Sequence, residues 1–429
     1  LTLNGIIIII FIVEGVQTMS EKSVPWYLEI NKSQWYSLFA GFMGWGLDAF
    51  DVMLYAFALT SIMKEWSINT AILGLLASLT LLSSAVGGII WGIVADKIGR
   101  KKALMSTVLI FSICSGLSGI SQDIWQLAIA RTLLGLGMGG EWATGALLVS
   151  ESWPTKHRGK AIGIMQSGWA IGYFLAALVA AYVIPAHGWR VLFFIGILPA
   201  LFIFYVTKFV DEPKIWIEKT DKNRAFLSSF VEIFKPYLLR YTLITTLISS
   251  AVMFAYWGLF VWLPGFLSSP VEKGGAGLSI VKSSNFMMPT MVGAFLGYVS
   301  FGFIADRLGR RPTFSFYLII SAILVYFYGH TKDANTLMLL GPFLGFFGSG
   351  YFSGFGAFIS ELFPTKARGA GVGFTYNTGR ALSAFAPTVV GFFAISYGLG
   401  ASLTITSIFF FLGAILIFFL PETMGKELQ

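Results

Sequence analysis

Two stretches of this chain, 210 residues apart, repeat one another. Gly92-Ile-Val-Ala-Asp96-Lys-Ile-Gly99-Arg100 returns as Gly302-Phe-Ile-Ala-Asp306-Arg-Leu-Gly309-Arg310. Glu151-Ser-Trp-Pro154-Thr-Lys-His-Arg158-Gly159 returns as Glu361-Leu-Phe-Pro364-Thr-Lys-Ala-Arg368-Gly369. The offset is the same at every matched position. Polar punctuation that recurs between long apolar runs implies two copies of one membrane-spanning unit.

The apolar runs identify the solvent. Hydrophobic residues make up 56% of the chain and charged residues 12%, with a mean hydropathy of +0.77. A soluble chain carries about twice that charged fraction. Crossing a bilayer takes roughly 20 residues, and twelve runs qualify: 36–63, 71–95, 103–120, 124–149, 161–184, 191–209, 241–267, 284–305, 313–329, 336–360, 371–397 and 401–420. The expected fold is an all-α membrane protein with two six-helix bundles, 36–210 and 241–420. A polar linker, 211–240, joins them, and 1–35 and 421–429 are tails. Glycines such as Gly135, Gly137, Gly139 and Gly140 suit close packing of helix backbones in lipid.

Charge placement sets the orientation. With the N-terminus in the cytoplasm, 22 of the 29 Lys and Arg residues fall in cytoplasmic segments and both termini are cytoplasmic. The net charge of +8 is thus a topology and lipid-surface signal, and no nucleic-acid partner is expected. Ile6–Val13 is too short to span, and Met19 opens an ordinary polar tail, so residues 1–18 are expected to be an upstream translation artefact. One cysteine, Cys114, and three scattered histidines offer no disulfide and no metal constellation. No nucleophile–base pair stands out either, so neither an enzyme nor a cofactor is expected.

The paired Gly-x-x-x-Asp-x-x-Gly-Arg loops and the run Arg131-x-x-x-Gly135-x-Gly137 resemble the major facilitator superfamily, from about residue 36 to 425. Asp48-Ala-Phe-Asp51, Gly139-Gly140-Glu141-Trp142, Gly188-Trp-Arg190 and Asp211-Glu-Pro-Lys are similar to the sialate:proton symporter branch, which includes lactate-type carboxylate carriers. Aromatic-acid:proton symporters share the paired aspartates. The resemblance implies that the loop motifs (Gly92, Asp96, Gly99, Arg100, Glu151 and Arg158; Gly302, Asp306, Gly309, Arg310, Glu361 and Arg368) latch the cytoplasmic side in the outward-open state. Read from the residues alone, Asp96 and Asp306 can cap a neighbouring helix, and Arg100 and Arg310 can pair with Glu151 and Glu361. Solvated loop charge is the competing reading.

A charge deep in the bilayer is costly and marks function. Five such residues exist: Asp48, Asp51, Arg131, Glu141 and Arg380, and none has a charged counterpart at the 210-residue offset. Asp48 and Asp51 share a face of the first span, ~18 and ~22 Å from its cytoplasmic end. Two desolvated carboxylates this close suit proton coupling. The resemblance implies that Asp51 takes up the proton with Arg131 as its partner; a permanent ion pair joining two helices is the alternative. Arg380 is the candidate for a substrate carboxylate, which its fork binds bidentately, with Asn377 on the same face. A pair between Arg380 and Asp48 or Asp51 is the competing reading. Glu141 is either structural or a proton relay. Gln166, Trp169, Tyr173, Tyr256 and Tyr351, with Phe254, Trp257 and Phe355, are candidate cavity walls.

The reading is a monomeric carrier of the cell membrane, importing a small organic monocarboxylate with protons. A sugar or neutral-metabolite facilitator, a phosphate:proton symporter and a non-transporting sensor of the same fold are the alternatives.

Overall fold

The computed structural model describes residues 26–154, 157–219 and 231–424, without certain side chains, among them those of Asp96 and Arg368. The expectations for residues 1–18 and for those two side chains lie outside the described residues. The segment up to Lys32 is a unit by itself and holds one 3-10 turn, Trp26–Leu28.

Among the described residues there are helices and no strands, as lipid demands of a backbone that must satisfy its own hydrogen bonds. The spans are α1 (Lys32–Trp66), α2 (Thr70–Ile98), α3 (Arg100–Ile120), α4 (Ile124–Ser152), α5 (Arg158–Ile195) and α6 (Phe202–Phe209). After a short helix, Lys214–Lys219, come α7 (Pro236–Phe260), α8 (Ile280–Leu308), α9 (Arg310–His330) and α10 (Ala334–Gly350, continued by Phe352–Leu362). They are followed by α11 (Thr365–Ser383, continued by Ala386–Tyr397) and α12 (Leu399–Leu416).

Ten helical stretches among the described residues are long and apolar enough to cross a membrane. One of them, Arg158–Phe209, has 52 residues. Gly188, at φ 79° and ψ 176°, breaks it, so Trp189 onward already belongs to the sixth span. The remaining span is α4. Its 29 residues are long enough, but it carries Arg131, Glu141 and a run of glycines in place of large apolar side chains.

The repeat reaches the helix starts. Asn69 and Ser279 accept hydrogen bonds from the first turns of α2 and α8, and Asp123 and Asp333 do so for α4 and α10. These are N-caps, which satisfy donors the helix cannot. Within each half, small residues bring backbones together: Gly135 and Gly139 of α4 lie on Thr80 and Ser84 of α2, as Gly345 of α10 lies on Thr290 of α8.

The halves meet along two seams, α2 against α11 and α5 against α8. At the Thr70 end the first seam is shut. Gly74 lies directly on the Pro387 backbone, Thr70 Oγ1 donates to Gly391 O (2.6 Å), and Ser78 Oγ is 2.7 Å from Thr388 Oγ1. Midway, Gly88 still faces Asn377. One turn further, at Gly92 and Gly373, a side chain would meet nothing within 4 Å. Gly302 of α8 and Gly163 of α5 are open in the same way on the other seam. The two halves therefore splay toward the end that carries Arg100 and Arg310, here termed the basic end.

Cysteines in place of Ser78 and Thr388, with Cys114→Ala, are expected to form a disulfide, whose Cβ atoms need to stand about 3.5–4.5 Å apart. Cross-linking should abolish uptake into vesicles and reduction should restore it. A cross-linked protein that still transports would show that this end has no need to open.

Candidate functional site

The five buried charges converge where α1, α4 and α11 meet. Asp48, Asp51 and Glu141 are 0% exposed, Arg131 1% and Arg380 3%. None of them makes an ion pair among the described residues. Both oxygens of Asp48 and of Glu141, Asp51 Oδ2, Arg131 Nε and Nη1, and Arg380 Nη2 have no hydrogen-bond partner. They act on one another through space: Arg380 is the strongest charge on Asp48, followed by Asp51 and Arg131. Asp48 and then Arg380 act on Glu141, and Asp51 leads on Arg131.

Local packing fixes the height of each group along α1. Ser115 of α3 donates to Asp51 Oδ1, and Gly196 leaves room beside it. Ser115 Oγ also lies 3.2 Å from Phe193 O. A hydroxyl with one proton can thus donate to an ionised Asp51, or accept from a protonated one while donating to Phe193. The Arg131 guanidinium sits 4.8 Å from the Tyr55 ring centroid, a cation–π contact. The Glu141 carboxyl lies against Gly44, where any side chain would displace it.

A small cavity of about 30 Å³ opens beside Arg380. Gln166, Trp169, Tyr256 and Trp257 line it together with Trp45, Met253, Tyr298, Phe352 and Tyr376. Trp169 Nε1 donates to Tyr256 Oη across the halves (2.6 Å), and Trp142 stacks on Tyr376 at 4.3 Å. Trp142 Nε1 also donates to Gln166 Oε1 (3.1 Å).

Other candidates stand elsewhere. Asn377 bonds Gly373 O (2.9 Å) at the α2–α11 seam, Tyr173 Oη donates to Phe260 O (2.7 Å), and Tyr351 Oη donates to Val252 O (3.2 Å). Phe254 stacks on Phe409, and Phe355 packs on Phe314 and Phe352. Two wall residues that sequence reasoning missed had a readable signal. Trp45 precedes Asp48 by three residues and Tyr376 precedes Arg380 by four, so each shares a helix face with a charge already singled out. Met253, Tyr298 and Phe352 had none.

At the basic end, Arg100 grips Glu151 with Nε to Oε2 at 3.0 Å and Nη2 to Oε1 at 2.8 Å. Arg310 reaches Glu361 at 3.4 Å and Asp306 at 2.8 Å. Each of these pairs stays within its own half. Arg158 Nε is buried without a hydrogen bond. Asp306 is two-thirds exposed and only meets Arg310. The α3 and α9 N-termini are capped by Glu212, which accepts from Arg100 N (2.8 Å) and Lys101 N (3.2 Å), and by Glu422, which accepts from Arg310 N (2.9 Å) and Arg311 N (3.0 Å). These two glutamates also stand 210 residues apart. Between cap and helix sit Gly99 and Gly309, at φ 102° and 98°, a conformation that needs glycine.

A sequence model of the Major Facilitator Superfamily matches residues 41–300 and 283–428. The chain belongs to that superfamily: it is a transporter, a multi-pass protein of the cell membrane, and not an enzyme. It is 34% identical over 410 residues to a probable 4-methylmuconolactone transporter of Cupriavidus pinatubonensis, covering 94% of each chain. It is 32% identical over 390 residues to the sialic acid transporter NanX of Escherichia coli, covering 90% of this chain and 94% of that one. In fold it is similar to a D-xylose–proton symporter, at a TM-score of 0.74 and 19% identity, covering 92% of this chain and all of the other.

Burial raises the Glu422 carboxyl, but the N–H groups of Met424, Arg311, Arg310 and Thr423 outweigh it and hold the group below the usual carboxylate range. Such a group stabilises the fold above that range and loses its contribution as pH falls through it. Glu422→Ala is expected to lower stability near neutral pH by about 1 kcal/mol, a typical cap. Thermal melts in detergent should show the gap from wild type closing below about pH 4; a gap independent of pH would remove the charge from the account.

Proposed function

We propose that this chain imports an organic monocarboxylate together with protons by alternating access, acting as a monomer. Two bundles, 36–210 and 241–420, rock about the buried charges, and the basic end faces the cytoplasm, so that the splayed arrangement is inward-facing. The observation that carries this reading is Arg380: a buried guanidinium with an unpartnered N–H, at the edge of a cavity walled by aromatic rings. A neutral solute leaves that charge uncompensated; a carboxylate answers it with two parallel hydrogen bonds.

The two relatives named above handle different acids, and the walls favour one kind. Trp45, Trp169 and Trp257 offer flat apolar faces, with Gln166 and the hydroxyls of Tyr256 and Tyr298 as the few polar groups. A planar, unsaturated or ring-bearing acid suits these walls better than a polyhydroxylated one. The cavity has room for no more than a few waters, so the walls, the Trp142–Tyr376 stack among them, must part for any such substrate.

Proton coupling follows from charge balance. In the empty carrier Arg380 is the main counter-charge of Asp48. A substrate carboxylate on Arg380 cancels that support, and Asp48 is then cheaper to hold protonated, with Asp51 and Arg131 the second acid–base pair. Each binding event favours the other, which is reciprocal linkage. Asp48, Asp51 and Arg131 therefore carry the proton role, and Arg380 with Gln166, Trp169 and Tyr256 the substrate role.

Proteoliposome uptake of benzoate, muconate, sialate, xylose and phosphate, with and without an inward proton gradient, tests this. A planar carboxylate should accumulate only with the gradient; uptake of xylose or phosphate alone would defeat the reading. Arg380→Lys should raise KM about tenfold or more by losing the fork, a cost of ~1.4 kcal/mol, and an unchanged KM would remove Arg380 from the site. Asp51→Asn should lose accumulation yet keep substrate exchange. Intact accumulation there would take the proton role from Asp51.

A further inference from the structure

The charge balance just described uses two carboxyls, and the molecule buries a third. Glu141 is 0% exposed, both its oxygens lack a partner, and Gly44 of α1 lies directly beside Oε1. Gly44 is one helical turn from Asp48 and about two turns from Asp51, ~6 and ~10 Å along the axis. The three carboxyls thus form a column that descends α1 toward the basic end: Asp51 beside Ser115 and Gly196, then Asp48, then Glu141 at the level of Gly44. The charged groups that act on Glu141 are Asp48 from α1 and Arg380 from α11. Leu104 of α3, Gly145 of α4 and Met165 of α5, which also border this niche, are uncharged. The next residue on α4, the half-buried Trp142, belongs to the Trp142–Tyr376 stack across the two halves.

A purely structural glutamate in such a niche would be expected to spend its oxygens on hydrogen bonds, because an unpaired buried polar group is costly. Glu141 spends neither. We propose that Glu141 is the lowest station of the proton path, taking the proton from Asp48 and releasing it toward the basic end. In the transfer the Asp48 O–H bond breaks and a Glu141 O–H bond forms. Asp48 is left ionised against Arg380, and the proton then passes from Glu141 to water at the open end. A gap of one helical turn is crossed through a single bridging water or by rotation of the two side chains.

This inference rests on the proton-coupled reading, and the same vesicles separate the two. Glu141→Gln keeps the shape against Gly44 and removes the acid. It should retain gradient-independent substrate exchange with little change in KM, and lose proton-driven accumulation. Glu141→Asp, which keeps the acid on a shorter arm, should recover part of that accumulation. Accumulation by Glu141→Gln equal to wild type overturns the proposal. So does loss of exchange together with accumulation, which would mark a structural role. If wild-type uptake ignores the proton gradient, the parent reading falls instead, whatever the variants do.

Discussion

Two guanidinium groups and three carboxyls lie buried together, four of them in the first half and Arg380 in the second, and none of them is locked into an ion pair among the described residues. In a medium of low dielectric, such charges interact strongly at a distance and are costly to leave unbalanced. Their number is odd. With every group ionised the set carries one surplus negative charge, which a proton on Asp48, Asp51 or Glu141 would neutralise. Geometry keeps this set adjustable. Ser115 serves either protonation state of Asp51, and Glu141 rests against a glycine in place of a donor. A fixed pair of salt bridges would satisfy the same charges and move nothing.

Around this set the frame is nearly symmetric. The N-caps Asn69 and Ser279, the caps Asp123 and Asp333, the positive-φ glycines Gly188 and Gly398, and the carboxylates Glu212 and Glu422 are all placed by one offset. Gly188 and Gly398 even share φ 79°. Helix ends and seams are thus built twice. The buried charges are built once, four on the first half and Arg380 on the second.

The loop motifs were the easiest part of this architecture to read, because a charged residue between apolar runs stands out and its repetition removes doubt about spacing. The five buried charges were legible for the same reason. The aromatic walls were only half legible. Gln166, Trp169 and Tyr256 lie at the cavity, but Asn377, Tyr173 and Tyr351 turn their polar atoms to backbone carbonyls, which no one-dimensional pattern reveals. In a chain so rich in aromatic residues, facing lipid, core or cavity leaves the same trace in sequence. The caps illustrate another limit. Glu212 and Glu422 share the offset but little flanking sequence, since Asp211 and Pro213 are replaced by Pro421 and Thr423. Only the fold shows that the single matched residue matters.

The two ends of the seams are held by different physics. At the Thr70 end the seam between the halves is one of shape, with Gly74 and Gly391 admitting a neighbouring backbone, and the exposed Glu65–Arg190 pair lies within the first half. At the other end, shutting the cleft brings the cationic clusters around Arg100 and Arg310 toward each other, each only partly offset by its own glutamates. Shape contacts are indifferent to dissolved ions, whereas exposed like charges are screened within about 8 Å at physiological ionic strength. Of the two ends of the seams, the basic end is therefore the one whose contact between the halves dissolved ions reach.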